Sequence, residues 1–311
     1  MVILNYLLVC FIFGTTFLAV KIGVDASAPP FLSAGLRFFI AGVILLGWML
    51  LRKKANLSLL LRKELMITGF CLTFGTFSTL YWGEQFVASG NAAVLSATGP
   101  MMILLIQLFV MRQKPSARSL IGCVIGLLGV VLLILPSLTM AWSVWILLGS
   151  IAIIIGELFY SSGALYSKKA NKYFRDVSPI TLNAVQMTYG GLMLLILSAC
   201  TESWNIHSFQ SAGAISSLLY LIVVGSMIGH SLFYWLVSRT TPVFASTWLY
   251  ISPMIALAIG VLFYDEKITW LTIIGAITII AGTILVNWGD LKLLLSAKKR
   301  AETIEPVSYS T

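Results

Sequence analysis

Charge is scarce in this chain. Only 10% of its 311 residues are charged and 59% are hydrophobic, whereas a soluble domain carries about 25% charged residues. Histidine is scarcer still. His207 and His230 are the only two, too few for a multi-histidine metal site. The four cysteines, Cys10, Cys71, Cys123 and Cys200, each lie in or at the end of an apolar run, with no CxxC or metal spacing. They read as packing residues, and no metal or other cofactor is expected. GxSxG, HExxH and a phosphate-binding loop are all missing. An enzyme would need such a nucleophile–base pair or metal cluster, and ATP-driven transport would need the loop. The net charge of +9 is dispersed over short segments between apolar runs, so nucleic acid is not an expected partner.

What the chain has in abundance is apolar runs of about 20 residues, the length that crosses a bilayer as a helix. Ten spans are expected, at about 3–24, 31–51, 64–86, 89–111, 118–136, 143–167, 178–199, 212–237, 241–263 and 268–288. The fold class is an all-α integral membrane protein whose principal partner is the lipid bilayer. The first run lacks a basic n-region and a cleavage pattern, so it reads as a retained helix. Proline and glycine mark the turns, at Pro29-Pro30, Pro115, Pro136, Pro179 and Pro242. Every Lys and Arg except Lys21, Arg37 and Lys267 falls in the loops after spans two, four, six and eight or in the tail. The positive-inside rule then places both termini in the cytoplasm of a plasma (inner) membrane. On that reading Asn56-Leu57-Ser58 is cytoplasmic and not a glycosylation acceptor.

The chain also repeats itself. Adding 153 carries Tyr81-Trp82 to Tyr234-Trp235, Pro100-Met101 to Pro253-Met254, Ala92 to Ala245, Lys114 to Lys267, Gly122 to Gly275 and Gly129 to Gly282. This is a tandem duplication: residues 1–137 form a first five-helix repeat, 138–288 a second, and 289–311 a cytoplasmic tail. Five spans per repeat is an odd number, so the second copy starts from the opposite face. Two inverted repeats of this kind commonly enclose a substrate site near the midplane.

The duplication, the span count, the prolines of spans four and nine, and the run Phe13-Gly14-Thr15-Thr16-Phe17-Leu18-Ala19-Val20-Lys21 followed by Leu36-Arg37-Phe38 resemble the EamA family of the drug/metabolite transporter superfamily. The acidic turn Asp265-Glu266 before Gly275 and Gly282 is similar as well. The resemblance implies transport of small metabolites, often export, through a central cavity between the halves. It names no single substrate. Glu84 and Glu157 match no motif of that family.

Ionisable groups within spans are costly in lipid and are functional candidates. Lys21, Arg37 and Glu84 lie at similar depth near the outer face. They could tie three helices together as ion pairs, or form an outer gate or a site for a substrate carboxylate. Glu157 lies near the middle of span six. Tyr160, Ser161 and Ala164 follow at helical spacing on the same face, which suits a wet or ligand-lined wall. It is the first candidate for proton coupling or for binding an amine, and the alternative is a structural carboxyl. Thr15 and Thr16 of span one are expected at the same depth. His230 reads as a packing residue with Tyr234 one turn on, and Asn183 and Gln186 as polar glue between helices. Tyr81, Trp82, Trp235, Trp248 and Tyr250 could line an aromatic cavity. Trp142, Trp145 and Trp288 read as interface anchors, and Gly122 and Gly126 as a tight helix contact. The reading that absorbs most of these features is a secondary transporter of small metabolites such as amino acids or related amphipathic compounds, with protons as a candidate coupling ion. A passive channel or facilitator, and a membrane-embedded enzyme, are the alternatives. Monomer and homodimer both remain open.

Overall fold

The computed structural model describes residues 1–139, 143–170, 173–203, 211–240, 247–289 and 292. Trp142, His207, Pro242, Ala245 and the basic tail residues Lys298, Lys299 and Arg300 lie outside the described residues. Among the described residues every regular element is helical. Eight helices are long and apolar enough to cross a membrane: α1 (Val2–Asp25), α2 (Pro30–Leu51), α3 (Lys63–Gly83), α4 (Ser89–Phe109), α5 (Ala117–Leu135), α6 (Val144–Ser167), α7 (Pro179–Thr201) and α8 (Ala212–Leu236). Two further apolar helices, α9 (Trp248–Tyr264) and α10 (Trp270–Val286), are shorter. α10, at 17 residues, reaches about 26 Å, just under a hydrocarbon core of about 30 Å, and the described part of α9 has the same length.

Local chemistry sets the helix ends. Pro30 and Pro179 stand at the first positions of α2 and α7, where a missing N–H costs nothing and φ is already set. Ser211 and Thr269 cap α8 and α10 through side-chain oxygens. Left-handed residues stop four helices: Ser27, Lys53, Arg112 and Asp265. Arg112 and Asp265 are 153 apart, and their turns match in detail. The Gln113 N–H donates to the Gln107 carbonyl at 2.9 Å, and the Glu266 N–H to the Gly260 carbonyl at 3.1 Å.

Three helices depart from simple α geometry. A π-helical stretch interrupts α3 at Phe70–Gly75 and α8 at Leu221–Gly229, positions that correspond at the same spacing of 153. The third departure lies within the expected span 89–111. α4 is two pieces, Ser89–Ser96 and Gly99–Phe109, separated by a turn at Ala97–Thr98. Pro100 supplies the cause, because it has no N–H to offer the Ser96 carbonyl.

α5 packs along α10, α2 along α7, α1 against α8 and α9, and α6 against α3 and α4. Glycine makes the closest of these contacts. A Cβ on Gly122 would lie 2.7 Å from the Gly282 carbonyl oxygen, and one on Gly129 would lie 2.9 Å from that of Gly275. In the α2–α7 pair, Gly42 faces the Thr188 backbone and Gly191 that of Phe39. Small residues let such backbones meet. One core joins α4, α5, α9 and α10, and a second joins α1, α2, α7 and α8. Large apolar side chains such as Leu128 and Ile277 stay exposed on the outside, as lipid contact requires.

Candidate functional site

The break in α4 is where the polar groups converge. Ending a helix in mid-membrane frees carbonyls that must find donors from neighbouring helices. The Thr283 hydroxyl of α10 shares its one proton between the Ala97 carbonyl at 3.1 Å and the Ile279 carbonyl of its own helix at 2.9 Å, and Ser161 of α6 donates to the Gly99 carbonyl at 3.0 Å. Glu157, one turn before Ser161, is buried and hydrogen-bonds with the Ser96 side chain. Its Oε2 would lie 2.8 Å from a Cβ on Gly99, and the Tyr160 ring also borders that point. A side chain at Gly99 would therefore force the carboxyl to shift. Tyr234 of α8 lies within electrostatic reach of Tyr160. Of the expected face, Glu157, Tyr160 and Ser161 border the break, and Tyr234, read from the sequence beside His230, lies near Tyr160 as well. Ser96, Gly99 and Thr283 join it, and the sequence signalled them only through Pro100.

Thr15 and Thr16 do not meet Glu157. Thr15 pairs with the Tyr220 hydroxyl at 2.5 Å, and the Thr16 methyl sits near Gly225. The reason is packing: α1 faces α8 and α9, whereas α6 faces α3 and α4.

Lys21, Arg37 and Glu84 are neighbours, but without direct side-chain ion pairs. Lys21 donates to the backbone carbonyl of Glu84 at 2.9 Å and pairs with Asp25 at 3.1 Å. That is the one ion pair within 4 Å among the described residues. Arg37, 2% exposed, donates to Ser226 at 2.9 Å and to the Tyr81 hydroxyl at 3.3 Å, and its guanidinium lies over the rings of Phe38 and Phe77. The Glu84 carboxyl is fully buried, and neither of its oxygens has a hydrogen-bond partner. The π-helical stretch of α8 displaces the expected pairing, because it presents Ser226 to Arg37.

Beside this cluster, Glu266 accepts from the Ser89 N–H and hydroxyl, both at 2.7 Å, and from the Gly90 N–H at 3.1 Å. Tyr264 donates to Asp25 at 2.8 Å. The carboxylate of Glu266 thereby caps α4, and this end of the molecule is drawn together from α1, α4 and α9. At the other end of α4 a cavity of about 230 Å³ is bordered by Pro100, Gln107, Gln113, Lys114 and Asn287. It begins next to the break.

The remaining candidates are held by neighbours of their own. His230 meets the Phe13 ring edge-on at 5.3 Å, and Trp248 packs on the same ring at 4.6 Å. Tyr250 accepts from Asn287 at 2.8 Å. Trp82 packs on Phe86, which stacks on the exposed Trp145, and Arg239 lies over Trp235. Asn183 and Gln186 are not glue: Asn183 donates to Met187 within its own helix, and Gln186 presents its backbone carbonyl to Gly69.

Comparison with known proteins decides the family. The EamA-like transporter family profile matches residues 1–135 and 147–288. The chain belongs to the EamA-like transporter family. Among its EamA-like relatives are the uncharacterized transporter YoaV of Bacillus subtilis, 29% identical across 90% of this chain and 94% of that protein. The uncharacterized inner membrane transporter YedA of Escherichia coli K12 is 30% identical across 92% and 90%. A solved crystal structure superposes with a TM-score of 0.61 at 16% identity, covering 93% of this chain and 97% of the other; that likeness is one of fold. The family and the apolar helices make this a multi-pass membrane transporter.

Proposed function

We propose that this EamA-like chain is a secondary transporter that exports small metabolites, such as amino acids or related amphipathic compounds, by alternating access across the break in α4. The ten helices, α1 to α10, form two inverted five-helix repeats spanning residues 1–137 and 138–288. The packing supports this. α2 pairs with α7 and α5 with α10, while the contact of α3 with α6 is answered by that of α8 with α1. Both termini face the cytoplasm of the inner membrane, so the Glu266 cluster is the closed outer end and the cavity beside Pro100 faces inward.

The observation that carries the reading is Glu157, a carboxyl buried in mid-membrane against the broken helix. A charge there would cost a few kcal/mol or more if it faced lipid, and a carboxyl that exchanges a proton as the cavity changes sides avoids that cost. Discontinuous helices at the midplane are a common setting for coupled binding. Glu157→Gln keeps the shape and removes the titration. In proteoliposomes it is expected to abolish pH-gradient-dependent transport while the protein still folds and inserts. An unchanged rate and pH profile would leave Glu157 a structural carboxyl. Orientation has its own check: in a cysteine-free variant, Ser203→Cys is expected to label from outside intact cells and Lys54→Cys is not.

A further inference from the structure

The two halves treat one helix start differently. At a spacing of 149, Pro30 corresponds to Pro179, Gly42 to Gly191 and Glu202 to Lys53. Reciprocal contacts support that alignment: Gly42 faces Thr188 and Gly191 faces Phe39, residues that are themselves 149 apart. In one half, the Glu202 carboxylate accepts from the Phe31 and Leu32 N–H groups at 2.8 and 2.9 Å and from the Ser198 hydroxyl at 2.6 Å. It neutralises the start of α2 from within the chain.

In the other half the corresponding place is a cavity of about 870 Å³, bordered by Lys53, Lys54, Asn56, Ser58, Arg175 and Ser178, with Asp176 its one carboxylate. Lys53 stands where the other half has Glu202, and Ser178 gives α7 no side-chain cap. None of Lys53, Lys54 and Arg175 lies within 4 Å of a described carboxylate. The cavity therefore gathers three cations at a helix start whose counterpart holds a carboxylate. Exposed apolar side chains flank its lining residues along the chain, among further exposed cations at Arg52, Arg62 and Lys63. Leu51, Leu57, Leu61 and Tyr173 are 82%, 59%, 86% and 74% exposed, while Leu59 and Leu60 of the short 3-10 helix Leu57–Leu61 pack inward. A cationic cup with an apolar rim at a membrane surface suits a lipid, whose chains can cover the rim. A soluble anion would leave that rim in water.

We infer that this cavity binds the phosphodiester headgroup of an anionic glycerophospholipid, in the place that the Glu202 carboxylate fills in the other half. The inference does not depend on the transported substrate. The test uses the full chain in detergent micelles at fixed ionic strength, with phosphatidylglycerol as probe, phosphatidylcholine as neutral control and inorganic phosphate as soluble control. Phosphatidylglycerol is expected to raise the melting midpoint by about 5 °C at saturation. In Lys53→Gln/Lys54→Gln/Arg175→Gln that gain is expected to disappear, with the midpoint in phosphatidylcholine unchanged. Lys53→Glu, which supplies a carboxylate, is expected to raise the lipid-free midpoint and to show no further gain. Native mass spectrometry should show at least a tenfold loss of retained phosphatidylglycerol in both variants. A full lipid gain in Lys53→Glu or in the triple variant overturns the inference. So does an equal gain from inorganic phosphate, which would mark a soluble-anion site. If the triple variant does not fold, Lys53→Glu carries the test.

Discussion

Pro100 and Pro253 occupy corresponding positions, yet among the described residues only Pro100 follows directly on a break in its helix. α9 runs through Pro253 without interruption, whereas α4 parts at Ala97–Thr98 just before Pro100. The residue before each proline differs too. Gly99 has Glu157 against it, and Ser252 has a buried hydroxyl with no hydrogen-bond partner. A proline removes one donor, and whether the helix opens depends on what its neighbours offer the freed groups. α4 has Ser161, Thr283 and Glu157 around it. The asymmetry of the site thus lies in the wall facing the proline more than in the proline itself.

That comparison can be broken most severely at Gly99. Gly99→Ser gives α4 the residue that α9 carries and pushes a side chain into Glu157. Overpacking of this kind costs about 1–3 kcal/mol, so transport is expected to fall about tenfold in vesicle assays, whereas Ser252→Ala should be neutral or slightly stabilising. Equal effects at both positions would show that the two walls are alike. Next in size is Thr283→Val, which strands the Ala97 carbonyl. It is expected to lower stability by about 1–3 kcal/mol, read as a shift in thermal unfolding. Glu266→Gln weakens the cap on α4 and is expected to cost about 1 kcal/mol, with greater accessibility of a cysteine placed at Ser89; its counterpart Gln113→Glu should change little. The smallest effect belongs to Asp25→Asn. Its pair with Lys21 is partly exposed, and such pairs contribute less than about 1 kcal/mol.

Much of the fold was legible because hydropathy and proline act locally. Apolar runs set the helices, and Pro30 and Pro179 marked two starts. The carboxyl of Glu157 could be placed in mid-span by counting alone. Its partners could not, because which helix faces which is decided by long-range packing. Thr15 was expected across from Glu157 and instead bonds Tyr220. Arg37 looked like a partner for Glu84, but the π-helical stretch of α8 brings it Ser226, and nothing in residue spacing announces a change of helix type. Glu202 and Glu266 were visible only as loop acids, since capping a distant helix is a property of tertiary structure.

The glycine seam between α5 and α10 has a mechanical consequence. At Gly122, Gly129, Gly275 and Gly282 backbone lies against backbone with no side chain between. Flexible side chains can yield gradually, but two backbones in contact either stay together or part. This pair therefore behaves as a single double-width strut. Because Thr283 ties the strut to the Ala97 carbonyl, the broken helix hangs from a fixed point. In the alternating access proposed above, that line is the natural pivot for rocking that would open Glu157 to one side and then the other.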